Sequence, residues 1–226
     1  MDRRRFLLGT VPVAAAASMA SAAAVSGSAT PQTTYTPSYF TAAEWTFLKA
    51  AIARLIPSDG EGPGGNEAGV PEFIDRQMEL PYGHGSYWYL KGPFADDSPP
   101  TLGYQLRFTP RDIYRVGIKS VNDECLKELG KAFTDLGAEQ QNHVLRGLEA
   151  GTFKVAEIPG GAFFDQLLTN TREGYFADPQ YGGNRDMVAW RWIGFPGARA
   201  DFTDWIDQAG KRYPFGPVSI SGRSLP

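Results

Sequence analysis

The chain of 226 residues has a single cysteine, Cys125, and two histidines, His84 and His143. One thiol excludes an internal disulfide framework, haem attachment through C-x-x-C-H, and iron–sulfur or thiolate zinc sites held by this chain alone. The histidines lie far apart in dissimilar contexts, and no H-x-x-x-H or H-E-x-x-H spacing sets two imidazoles on one helical face. Positive charge is not in excess either: a formal net charge of −3 gives no broad basic surface for nucleic acid. No G-x-S-x-G elbow occurs, and no run shows the sustained β-branched alternation of a sheet. Carboxylates are plentiful, among them Asp96 and Asp97 before Pro99-Pro100, and Glu72 with Asp75 on one expected helix. Their settings read as solvated, and nothing marks an acid of raised pKa.

One apparent cofactor motif, Gly60-Glu61-Gly62-Pro63-Gly64-Gly65, satisfies G-x-G-x-x-G letter for letter. A dinucleotide fingerprint needs a strand before it and a helix opening at its last glycine. Here a helical pattern comes first and Pro63 deletes a donor inside the turn, so the stretch reads as a loop. His84, in Tyr82-Gly83-His84-Gly85-Ser86, reads as a solvated or backbone-bonded loop residue, with general-base chemistry as the alternative. Cys125 falls at helical spacing with Ile118, Val121 and Leu129, which leaves two readings: a buried thiol, or a bridge to a partner chain. No catalytic, cofactor-binding or metal-ligating residue is therefore expected in this chain.

What is present begins at the N-terminus. Arg3-Arg4-Arg5 precede Phe6-Leu7-Leu8, an Ala-rich apolar run to Val25 and a small-residue stretch Ser26-Gly27-Ser28-Ala29. Paired arginines before Phe6-Leu7 have the form of a twin-arginine export signal, with Arg3 and Arg4 as the pair. Asp2 stands where Ser or Thr is common, and Leu8 where Lys is common. The run is only mildly hydrophobic, which suits export over a permanent anchor. Cleavage is expected near Ala20-Ser21-Ala22 or Ser28-Ala29. The expected organisation is a signal over 1–29, an extended linker over 30–39 and one helical domain over 40–226. The twin-arginine route carries folded proteins, which directs attention to a cofactor or partner acquired before export.

Caps and periodicity outline five main helices and an all-α fold. Thr41-Ala42-Ala43-Glu44 is a capping box with Phe40 and Trp45 as its staple; Trp45, Leu48, Ile52 and Leu55 carry the stripe, and Pro57 closes the helix after Ile56. Val70-Pro71-Glu72 opens a second helix that ends at Pro81. Thr109-Pro110 caps a third, longer one through Ile113, Val116, Val121, Cys125 and Leu129. Two more span Ala138–Glu149 and Ala162–Tyr175. Between the second and third, Tyr82 to Leu106 forms an aromatic, Gly-rich ordered loop. The last 50 residues or so read again as loop-like and aromatic.

That last region holds the most idiosyncratic stretch, Asp178 to Gly197. Gly182-Gly183 permits unusual backbone angles, Arg185 can fork onto carboxylates or carbonyls, and Trp190, Trp192 and Phe195 offer contact area. Two roles stay open for Tyr181, Arg185, Trp190, Trp192 and Phe195: a buttress of the helical core, or direct partner contact.

Leu55-Ile56-Pro57, Gly62-Pro63-Gly64, Glu67-Ala68-Gly69-Val70, Phe73-Ile74-Asp75, Gly92-Pro93-Phe94, Gly103-Tyr104-Gln105-Leu106 and above all Asp178-Pro179, Tyr181-Gly182-Gly183-Asn184-Arg185 and Gly194-Phe195-Pro196-Gly197 together resemble the small (gamma) subunit of gluconate 2-dehydrogenase. The resemblance runs over about residues 39–220. It implies an accessory subunit, without flavin or haem of its own, in a membrane-associated complex with a large FAD-containing subunit and a multihaem cytochrome c subunit. It further implies that this chain supplies the signal by which the twin-arginine translocase exports its flavoprotein partner to the periplasmic, outer face of the bacterial inner membrane. Gluconate oxidised to 2-ketogluconate is the leading substrate. Small subunits of related fructose, glucose or polyol dehydrogenases are the near alternative. An independent periplasmic carbohydrate-binding protein using the Tyr82–Phe94 aromatics is a further one, and a catalyst using His84 another.

Overall fold

The computed structural model describes residues 35–95, 98–200 and 203–224. The expected signal residues Arg3, Arg4, Phe6 and Leu7, and the Asp96-Asp97 pair, lie outside the described residues. Six α-helices and no strand occur among the described residues: α1 (Ala42–Leu55), α2 (Val70–Glu79), α3 (Pro110–Leu129), α4 (Ala138–Glu149), α5 (Gly160–Phe176) and α6 (Val188–Ile193). The all-α expectation and its five main helices are met.

Local chemistry sets most boundaries. Thr41 caps α1 in a two-way box with Glu44, and Thr109 does the same for α3 with Asp112, each pair satisfying donors that a helix start leaves free. At the other end of α3, Gly130 takes a left-handed φ of 71° and returns its N–H to Leu126. Two boundaries differ from expectation. Helix α5 starts at Gly160, directly after Pro159, two residues before the expected Ala162. The C-terminal region is not loop throughout, since Val188–Ile193 winds into α6.

Helix α5 is the central element, packing against α1, α2, α3, α4 and α6. Around it Phe47, Tyr114, Phe133 and Phe163 are fully buried, with ring centroids 4.6 Å apart for Phe47 and Phe133, 6.1 Å for Phe47 and Phe163 and 6.3 Å for Tyr114 and Phe163. Fully burying side chains of this kind stabilises the fold by about 1.5–3 kcal/mol each. Cys125 is buried in this core, and burial, aided by Glu128 and Glu124, pushes its thiol up to about 11. A thiol so placed stays protonated at neutral pH.

The expectation that Asp75 is solvated is corrected. It is fully buried on α2 and accepts hydrogen bonds from the Tyr35 hydroxyl, the Ser38 N–H and hydroxyl, and the N–H groups of Tyr39 and Phe40. The part of the expected linker from Tyr35 onward is therefore pinned to the core. Tyr39 lies between the guanidiniums of Arg111 and Arg115, at 4.6 and 4.5 Å from its ring centroid, and donates its hydroxyl to the Arg111 carbonyl at 2.6 Å.

Candidate functional site

The stretch from Asp178 to Gly197 is a bracket that closes the end of α5. Its pivot is Asn184, fully buried with a φ of 41°. The Asn184 side chain donates to the Ala177 carbonyl just past α5 and accepts from the Ala189 N–H in the first turn of α6. One amide thus satisfies the loose ends of two helices. Asp186 and Met187 follow with φ of 54° and 52°, so three non-glycine residues occupy the left-handed region within four positions. Such angles persist only where surrounding bonds over-determine them.

Those bonds reach in every direction. The Arg185 N–H donates to the Ala68 carbonyl at 2.8 Å, while its guanidinium pairs with Glu72 on α2. Asp178 accepts from the Gln180 and Ile220 N–H groups, which fixes the C-terminal tail on the bracket. The Trp190 indole donates to the Phe176 carbonyl, and the Trp192 indole to the Glu61 carbonyl across the loop that follows α1. The Gly60–Gly65 motif is that loop: it follows a helix, and an added Cβ at Gly62 would sit 2.7 Å from the Trp192 ring.

The five residues left between two roles divide. Trp190 is 6% exposed and, with Arg185, serves the bracket; the contact area expected of Trp190 is turned inward. Tyr181 (50%), Trp192 (55%) and Phe195 (46%) face outward. Phe176, Ile193 and Phe215 are also exposed, as are the charged neighbours Arg191 and Arg212, which sequence reading passed over. The available signal was the alternation Trp190-Arg191-Trp192 and the run Arg212-Tyr213-Pro214-Phe215. Exposed apolar side chains clustered in this way mark an interaction surface. Several of these residues line two grooves. One, of about 510 Å³, is lined by Trp190, Arg191, Phe195, Arg212 and Phe215; the other, of about 290 Å³, by Ile56, Pro63, Tyr175, Phe176 and Trp192.

A separate groove of about 530 Å³ opens in the aromatic loop among Trp88, Tyr89, Phe94 and Tyr104, with the rings of Trp88 and Tyr104 tilted against each other at a centroid distance of 4.6 Å. His84 is exposed beside it in sequence, its Nε2 2.8 Å from the Arg111 guanidinium, and His143 is exposed on α4. Among the described residues no group of three or more His, Cys, Asp or Glu is placed to hold a metal ion, and no helix is long and apolar enough to cross a membrane.

The described residues form a helical scaffold whose polar centres fasten its own segments, with exposed apolar side chains both around α6 and in the loop that carries Tyr87, Tyr89 and Leu102. The chain belongs to the gluconate 2-dehydrogenase subunit 3 family, whose model matches residues 42–197. Membership makes it a subunit of a dehydrogenase complex. No curated protein and no solved structure matches the chain.

Proposed function

We propose that this chain is the accessory subunit of a membrane-associated dehydrogenase in which a large FAD-containing subunit oxidises a sugar acid, gluconate to 2-ketogluconate, and a multihaem cytochrome c subunit takes up the electrons. The chain itself holds neither FAD nor haem, and it reaches the membrane through the complex. The family match over residues 42–197 carries this reading. The outward face around Trp192 and Phe195 supports it, since exposed apolar area of this kind marks an interaction surface.

The test is recovery of the tagged chain from solubilised membranes. A flavoprotein and a cytochrome c are expected to co-purify, with haem absorbance reduced on adding gluconate. A colourless, solitary chain would refute the reading and turn attention to the Trp88–Tyr104 groove as a carbohydrate platform.

The N-terminal signal is proposed to export both this chain and its flavoprotein partner to the periplasmic face. Motivated by Arg3-Arg4 before Phe6-Leu7, the double substitution Arg3→Lys with Arg4→Lys is expected to leave both polypeptides in the cytoplasmic fraction, with periplasmic dehydrogenase activity lost. Normal export of the flavoprotein in that strain would show that it travels on another signal.

A further inference from the structure

The groove of about 510 Å³ between α6 and the Arg212–Pro217 stretch combines charge with apolar area. Among the described residues its lining carries two guanidiniums, Arg191 and Arg212, and no carboxylate. Neither cation has an ion pair or a side-chain hydrogen bond among the described residues. Arg199 behaves differently. Its guanidinium donates twice to the Gly216 carbonyl, at 3.0 and 2.9 Å, and lies over the Phe215 ring at 5.2 Å, which fixes the far wall. Phe195 and Phe215 are 46% and 53% exposed on either side.

Two unpaired guanidiniums beside exposed rings, in a chain of net negative charge, call for carboxylates. A guanidinium fork matches a carboxylate with two parallel hydrogen bonds, and the rings supply area around it. Exposed apolar residues continue along α6 to Trp192 and Ile193, farther than a small anion reaches, so the occupant is a polypeptide. We propose that this groove receives an acidic segment of the flavin-bearing dehydrogenase subunit. Its Asp or Glu carboxylates sit on Arg191 and Arg212, and an apolar side chain lies against Phe195 and Phe215. The assignment rests on the accessory-subunit reading and names the surface that makes the contact.

The experiment uses the full chain, tagged, recovered with its complex from solubilised membranes. Arg191→Glu with Arg212→Glu is expected to cut the flavin recovered per chain by roughly 100-fold, as charge reversal at a buried pair does. A second variant, Arg191→Lys with Arg212→Lys, keeps the charge and adds amines that a zero-length carbodiimide joins to carboxylates in contact with them. Mass spectrometry is then expected to find position 191 or 212 joined to an Asp- or Glu-bearing peptide of the flavoprotein. Undiminished flavin recovery with the reversed charges, or cross-links from 191 and 212 only to a second copy of this chain, overturns the groove assignment and leaves the accessory reading standing. Failure of the unaltered chain to recover any flavoprotein overturns both.

Discussion

Replacing Asp75 with alanine is expected to lower the stability of the full chain by about 2–6 kcal/mol, because the buried N–H groups of Tyr39 and Phe40 then lose their only acceptor among the described residues and each such orphan costs about 1–3 kcal/mol. Against a typical total of about 5–15 kcal/mol this approaches unfolding, with a fall in Tm of roughly 5–20 °C. The Asp75→Asn variant isolates the charge. Its remaining carbonyl oxygen can still serve Tyr39 and Phe40, and its amide can donate to the hydroxyls of Tyr35 and Ser38, so only the Ser38 N–H is left facing a donor. A loss smaller than that of alanine is expected.

The two variants also differ in pH dependence. Burial alone would raise the Asp75 pKa, but hydrogen bonds from Ser38, Phe40 and Tyr35 outweigh it and hold the carboxyl below its ordinary 3.8. Burial, and then the hydrogen bond to Asp75, push the Tyr35 phenol up to about 12, so it remains the donor. With the folded pKa depressed, the unfolded chain binds more protons in this range, and stability rises with pH. The contribution is complete above 3.8 and is lost as pH falls below that value through the folded one. The stability gap between the native chain and Asp75→Asn should therefore be constant at neutral pH and narrow in acid. Equilibrium denaturation by urea at several pH values reads both effects. A native-like midpoint for Asp75→Ala would show that the Tyr35–Phe40 segment is held by packing alone.

Asp75 also shows where sequence reading stops. Its position was legible: Pro71, Ile74 and Met78 share the buried side of α2, and Asp75 lies among them at the same spacing. Its partners were not legible, because five donors lie some 35–40 positions upstream in a stretch without periodicity. A polar residue in an apolar stripe signals a buried anchor, and composition alone made it look solvated. The five longer helices were readable because caps and stripes are local, as at Thr41–Glu44 and Thr109–Asp112. Helix α6 was not, since six residues are too short for a stripe and its start is fixed by the side chain of Asn184, itself placed by the Gly174 and Ala177 carbonyls at the end of α5. For the same reason the candidate face was only half legible. Spacing singled out Trp190 and Trp192 together, but the bracket decides that one turns inward and the other outward.

The bracket itself depends on a contact between two glycines, and Gly183→Ala is expected to break it. The Asn184 N–H donates to the Gly174 carbonyl at 3.0 Å, which draws the chain against the last turns of α5. A Cβ at Gly183 would lie 2.1 Å from that carbonyl oxygen and 2.9 Å from its carbon. These are helix backbone atoms and cannot rotate aside. Nor can α5 retreat, because Gly174 faces Phe73 so closely that its own added Cβ would lie 2.7 Å from that ring. Overpacking typically costs about 1–3 kcal/mol where side chains can adjust, and a backbone collision belongs at or above the upper figure. Gly161→Ala is the control: it sits in the first turn of α5 with its added Cβ 3.9 Å from the Leu148 carbonyl, and the better helix propensity of Ala should leave stability unchanged or raise it by up to about 1 kcal/mol. In Gly183→Ala the amides of Asn184, Arg185 and Ala189 should exchange with solvent far faster, while those of α3 and α4 keep their protection. Because Trp192 and Phe195 are aimed by this bracket, flavin recovery with the tagged chain should fall in the same variant. Unaltered exchange at Asn184 would mean that α5 yields where its packing says it cannot; lost exchange protection with full flavin recovery would place the partner elsewhere on the chain.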